Sequence, residues 1–176
     1  KIKKMLNNFN IDEFKNIKPP SDNSFDTMQE VKQLQKTPMN ESFVNKYDDG
    51  EKVFSDIVGK DPLIGKLIKQ SGPHVGNLKN HFNRPRPAQL ASKFNIDLKD
   101  IKLKSMDSPA YPSGHATQAT LLSLALSKKY PDKSSKLKQA ANNVIKSRHL
   151  ARTHYKSDSD VGKKLGAAMY EHIKDK

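Results

Sequence analysis

Tyr111-Pro112-Ser113-Gly114-His115-Ala116, running directly into the apolar stretch from Ala119 to Leu126, is the part of the chain from which the rest can be read. A Pro-Ser-Gly turn opening into such a run predicts a helix start. The first amides of a helix have no intrahelical partner and the helix dipole adds partial positive charge, so an anion such as phosphate would be held there by Ser113 and Gly114. His115 then stands where a proton could be transferred. A turn of this kind is common, and a lone histidine is more often packed than catalytic. What the motif means depends on what the other segments bring to it.

Working outward, helical spacing recurs on both sides. Downstream, the first helix reaches about Tyr130, where Pro131-Asp132 breaks it. A second runs from about Lys133 with Leu137, Ala140, Ala141, Val144 and Ile145 on one face, and a last one from Asp158 to His172 carries Val161, Leu165, Ala168 and Met169. Upstream, Phe25, Met28, Val31 and Leu34 predict a helix from Ser24 that Pro38 stops. Met39 to Val58 suits another, with a break at Asp49-Gly50. Asp61-Pro62 is a cap and first-turn pair for Leu63, Ile64, Leu67 and Ile68; Ser71-Gly72-Pro73 is expected to interrupt, and Val75, Leu78 and Phe82 resume until Pro85 and Pro87. Ala88 to Ala110 shows no period and reads as a long loop with one turn, the kind of segment that borders a site. Strand alternation and repeats are missing. The expectation is an all-α, single-domain helical bundle over residues 24–176, preceded by an arm or irregular lead-in over residues 1–23.

Composition narrows the partners. Apolar residues make up 34% and charged residues 29%, but the apolar ones cluster at helical spacing, which fits a folded lysine-rich protein rather than a disordered one. The apolar runs are too short for a transmembrane segment. Cysteine is absent, which removes disulfides and thiolate metal sites and is neutral about compartment. A net charge of +13 raises nucleic acid or an anionic surface as partners, yet the lysines are scattered and carry no interleaved aromatics, so most are read as solvated and nucleic acid is disfavoured. The sequence starts at Lys1 rather than Met, so the chain is expected to have been processed or truncated: periplasmic or secreted if a signal peptide was removed, cytoplasmic otherwise. Homo-oligomerisation stays open.

Chemistry gathers in three segments. Lys79, then six residues, then Arg86-Pro87 places two cations about two helical turns apart, with Pro85 and Pro87 bending the exit that carries Arg86. A basic helix end complementing its own dipole explains Lys79 alone, but explains the bracketing prolines less well. Arg84 is a third cation that could face either site or solvent. The Pro-Ser-Gly-His turn is the second segment. The third is Ser147-Arg148, then five residues, His154, then three residues, Asp158. With that spacing Asp158 can accept the Nδ1 proton of His154 and leave Nε2 free as nucleophile or base, although a plain capping role for Asp158 accounts for the pair taken alone.

In order and spacing, the three segments resemble the signature of the phosphatidic acid phosphatase type 2 superfamily, which includes lipid phosphate phosphatases, bacterial class A non-specific acid phosphatases and vanadium-dependent haloperoxidases. Every signature position is filled, from Lys79 to Asp158. The likeness is greatest to the soluble class A enzymes, from which this chain departs by its lack of cysteine and its basicity. The resemblance implies a compact helical fold of the acid phosphatase and vanadium haloperoxidase type, acting on small phosphomonoesters. It implies that Lys79, Arg86, Arg148, Ser113 and Gly114 bind phosphate, that His154 attacks phosphorus to give a phosphohistidine, that His115 serves as general acid and base, and that Asp158 orients His154. No metal and no cofactor are expected. The alternatives are a haloperoxidase holding vanadate on His154, and a basic protein that binds nucleic acid or an anionic surface. His74, His81, His149 and His172 lie outside the signature.

Overall fold

The computed structural model describes residues 4–176; the first three residues of the expected arm lie outside the described residues. Eight α-helices follow one another among them: α1 Phe25–Lys36, α2 Glu41–Tyr47, α3 Gly50–Val58, α4 Pro62–Phe82, α5 Pro87–Ala91, α6 Gly114–Lys129, α7 Ser134–Leu150 and α8 Lys156–Ile173. Short 3-10 turns punctuate the connections, and no strand occurs among the described residues. The fold is all-α, as the sequence predicts.

α6 is the axis of the bundle. Ala116, Thr117, Ala119, Leu121, Leu122, Ser123, Ala125 and Leu126 are buried, more than one stripe's worth, as expected of a helix surrounded by others. It packs most extensively on α8 and α7, then on α4 and α3. The α6–α8 approach depends on two glycines. A Cβ on Gly162 would lie 2.8 Å from the Ser113 carbonyl and 2.9 Å from Ala116 Cβ, and one on Gly166 would meet the Thr117 carbonyl and Thr120. The start of α6, where the Pro-Ser-Gly turn sits, is thereby pressed against α8.

Local signals explain most boundaries. Ser24, Asn40, Asp49 and Asp61 each cap a helix by accepting a backbone amide proton. The break at Asp49-Gly50 separates α2 from α3. Two expectations need correction. Ser71-Gly72-Pro73 does not interrupt α4, which continues from Pro62 to Phe82 with Pro73 inside. Burial of Leu67, Val75 and Leu78 along one face carries the helix through, and the Ser71 hydroxyl and Gln118 amide both donate to the Ile68 carbonyl, next to the Lys69 carbonyl that Pro73 leaves without an amide partner. α4 does stop ahead of Pro85 and Pro87, as expected, but Pro87 then opens a new helix. It occupies the first turn of α5, where its missing amide costs nothing, so the expected loop from Ala88 begins helical and later carries 3-10 turns at Ser92–Phe94 and Lys104–Asp107.

The last helix starts at Lys156 rather than Asp158, which stands at its third position. The lead-in before Ser24 is packed: Leu6 and Phe14 belong to the main core, and Tyr111 donates its hydroxyl proton to the Ile17 carbonyl. His74 and Gln70 of α4 bond the backbone of Leu6. A second apolar cluster, including Val31, Leu34, Leu90 and Tyr155, joins α1 to α5 and to the head of α8. No helix among the described residues is long and apolar enough to cross a membrane.

Candidate active site

The site forms where the end of α4, the start of α6, the end of α7 and the head of α8 converge. His154 lies in the short corner between α7 and α8, 2% exposed. Its Nδ1 is 2.8 Å from Asp158 Oδ2, and the same oxygen accepts the Tyr155 amide at 3.0 Å. The capping reading and the orienting reading of Asp158 are therefore both true of one carboxylate. The arrangement assigns the proton to Nδ1 and leaves the Nε2 lone pair facing Arg86 Nη1 at 3.1 Å.

Arg86 is fixed by carbonyls: Nε donates to Ser108 at 3.0 Å, Nη1 to Thr153 at 2.9 Å and Nη2 to Ser105 at 2.8 Å. Asn83, in the left-handed conformation with φ 51°, closes α4 and turns the chain so that Arg84 and Arg86 point inward. Lys79 donates to the Ser108 hydroxyl at 3.0 Å. Arg148, fully buried, donates Nε to Ser147 Oγ and Nη2 to Asp48 Oδ1 at 2.9 Å, while its Nη1 has no partner among the described residues. Ser113 caps α6 by accepting the Ala116 amide at 3.1 Å, and its own amide donates to the Asp158 carbonyl. The Gly114 amide that follows has no intrahelical acceptor. His115 Nε2 is 2.7 Å from the Asp48 carbonyl.

Burial and mutual repulsion set the charges. Burial, then Arg86, pushes Lys79 down to about 8, with Asp158 opposing. Burial lowers Arg86 and Arg148 too, though a guanidinium remains charged. His154 is held well below its ordinary value by burial and then by Arg86, Lys79, Arg148 and His115, all within electrostatic reach. Burial and Arg148 bring His115 down to about 4. Both histidines are neutral in the free site near pH 7. Burial pushes Asp158 up to about 7 while Arg84 draws it down, and the donors converging on it from Arg84, Tyr155 and His154 fit the carboxylate form.

All eight sequence-predicted residues, Lys79, Arg86, Ser113, Gly114, His115, Arg148, His154 and Asp158, lie on these converging segments. Arg84 faces neither solvent nor the phosphate side. Its Nη1 donates to Asp158 Oδ1 at 2.8 Å and to Ser157 Oγ, its Nη2 reaches Glu30 at 3.4 Å, and the guanidinium stacks 3.7 Å from the Tyr155 ring centre. Of the other histidines, His149 contacts the His154 carbonyl and Ser159, His74 binds the lead-in, and His81 and His172 pack edge-on against Phe82 and Phe9. Asp48 and Glu30 went unread in the sequence. Only the helix break at Asp49-Gly50 hinted at the first, and nothing local signalled the second.

Comparison with known proteins gives the family. The non-specific acid phosphatase of Salmonella typhi is 29% identical over 133 residues, covering 69% of this chain and 53% of that protein. The non-specific acid phosphatase of Salmonella typhimurium is 27% identical over the same length and shares. The chain thus spans about half the length of the curated relatives it matches. The family description "PAP2 superfamily" matches residues 64–172, from α4 through nearly all of α8, and so takes in every residue of the cradle. By that match the chain belongs to the PAP2 superfamily.

Proposed function

We propose that the chain is a phosphomonoesterase of broad specificity that works without a metal ion through a phosphohistidine on His154. The observation that carries this reading is the His154 imidazole, with Nδ1 tied to Asp158 and the Nε2 lone pair aimed into a cradle of Lys79, Arg86 and Arg148. Both curated relatives are named non-specific acid phosphatase, which supports the same chemistry.

A phosphoryl group in the cradle would place its non-bridging oxygens against Lys79, the two guanidinium groups and the Ser113–Gly114 turn. Phosphoryl transfer asks chiefly for positioning and for positive charge where the equatorial oxygens carry theirs. His154 Nε2 forms a bond to phosphorus as the ester P–O bond breaks, and the leaving oxygen takes its proton from His115. A water then gives a proton to His115 and attacks phosphorus, which breaks the N–P bond and releases phosphate. The Asp158 carboxylate compensates the positive charge that builds on the ring during both steps. The bound dianion reverses the local field, so His115, neutral in the free site, becomes a competent acid only when substrate is present.

The test is a rapid quench in EDTA with a labelled aryl phosphate, looking for acid-labile label on the protein. Wild type releases phosphate and shows label transiently. His154→Ala shows neither. His115→Ala accumulates label, because a good leaving group needs little protonation while water still lacks its base, whose loss costs about a hundred- to ten-thousand-fold. Label on His154→Ala but not on His115→Ala, or activity that appears only on adding a divalent ion, overturns the proposal.

A further inference from the structure

Asp48 contacts Arg148 and His115, whereas Asp158 contacts His154, and none of the signature motifs contains Asp48. It ends α2, and the break before α3 turns its backbone and side chain toward two residues of the cradle. The carbonyl holds His115 Nε2 at 2.7 Å, and carboxylate Oδ1 lies 2.9 Å from Arg148 Nη2 and 3.8 Å from His115 Nε2. The side chain remains 42% exposed, so it faces solvent rather than the core. Beside it lies a cavity of about 170 Å³ lined by His115, by the apolar Phe54, Leu122 and Val144, and by Asp48, Asp49 and Glu51.

If His154 attacks phosphorus and His115 protonates the leaving oxygen, the group attached to that oxygen extends past His115, whose ring lines this cavity. The substrate therefore meets two fields of opposite sign. Its phosphoryl end meets cations, and its leaving group meets apolar side chains and carboxylates. In a chain of net charge +13, scattered lysines would not produce this reversal. We infer that Asp48 is a specificity-determining residue, and that the His115 cavity is a leaving-group pocket that admits compact uncharged groups and rejects those bearing a negative charge. The inference rests on the phosphomonoesterase reading above. Asp48 does two separable things: its carbonyl orients His115 whatever side chain the residue carries, and its carboxylate supplies the charge.

The experiment compares kcat/KM for two aryl phosphates of nearly equal size, 4-carbamoylphenyl phosphate and 4-carboxyphenyl phosphate, in wild type, Asp48→Asn and Asp48→Glu. Asparagine keeps an oxygen acceptor for Arg148 and the carbonyl for His115 while removing the charge. Comparing ratios across variants cancels the difference in leaving-group reactivity. The expected result is that wild type prefers the carbamoyl ester, that Asp48→Asn raises the carboxy-to-carbamoyl ratio about tenfold, and that Asp48→Glu stays near wild type. Tenfold corresponds to about 1.4 kcal/mol, a modest figure that suits a half-exposed charge. Glu51→Gln, in the same cavity lining, gives a smaller rise in the same direction and carries the test if Asp48→Asn does not fold. A ratio unchanged in both variants, even with both rates lowered equally, would show that Asp48 merely holds Arg148 and would overturn the inference alone. Failure of wild type to hydrolyse either ester overturns the phosphatase reading as well.

Discussion

Replacing Lys79 with methionine is expected to make the protein more stable while disabling it. Lys79 is 8% exposed and sits among like charges, with its proton affinity brought from 10.5 down to about 8. That gap corresponds to about 3 kcal/mol. The unfolded chain binds the Lys79 proton more tightly than the folded one, so the penalty is full below pH 8 and lifts as pH rises from there to 10.5. Methionine has similar length and no charge. The change removes one hydrogen bond, to Ser108, whose hydroxyl keeps its bond to the Ser105 carbonyl at 3.1 Å and is not orphaned. Setting about 1 kcal/mol for that loss against the relief leaves a net gain of about 1–3 kcal/mol at pH 7, or about 3–10 °C in Tm for a chain of this size. Urea unfolding of both proteins at pH 7 and at pH 10.5 measures it. The advantage of Lys79→Met should shrink toward zero at the higher pH. A variant less stable than wild type at pH 7, or equally advantaged at both, would refute the view that the cradle stores unneutralised charge.

Three further outcomes follow from the same electrostatics and packing. Because a bound phosphate dianion raises His115 from about 4, the alkaline limb of kcat should lie at higher pH than that of kcat/KM, once the substrate's own ionisation is corrected for; coincident limbs would remove His115 as the acid. Gly162→Ala, whose Cβ would press on the Ser113 carbonyl, should cost about 1–3 kcal/mol and reduce activity. Gly72→Ala, which meets nothing within 4 Å in mid-helix, should be neutral or stabilising by up to about 1 kcal/mol; thermal unfolding with matched activity assays distinguishes the two.

What the sequence disclosed was the chemistry carried within a few residues. Helical spacing, the Asp61-Pro62 cap and the three motif segments are local patterns; the cap and most of the helices reappear where expected, and the motif residues are brought together by the ends of α4 and α7 and the starts of α6 and α8. The break expected at Pro73 failed because tertiary burial outweighed a local rule, and the loop expected from Ala88 begins helical because Pro87 stands at a helix start, where proline is welcome. The residues that went unread reach the site across long stretches of chain. Asp48 meets Arg148 at a sequence separation of 100 residues, and Glu30 meets Ser157 at 127. Nothing near Asp48 in sequence distinguishes it from Asp49, which caps α3 instead, and only the turn of the backbone between α2 and α3 decides which of the two faces Arg148.

The pairing of the buried cations shows why the cradle stays charged. Arg84 is the cation met by carboxylates, Asp158 at 2.8 Å and Glu30 at 3.4 Å, and it stands behind His154 rather than in front of it. The cations in front are satisfied differently: Arg86 by the carbonyls of Ser105, Ser108 and Thr153, and Lys79 by a hydroxyl. Dipoles of this kind replace water for a buried cation without cancelling its charge, whereas a carboxylate does both. Arg148 is the exception in front, since Asp48 partly neutralises it, but that carboxylate is half-exposed and Arg148 Nη1 remains without a partner among the described residues. Counter-ion pairing thus divides the buried arginines: the one beside Asp158 carries its counter-ions, and those that would hold a phosphoryl group keep their positive charge for it.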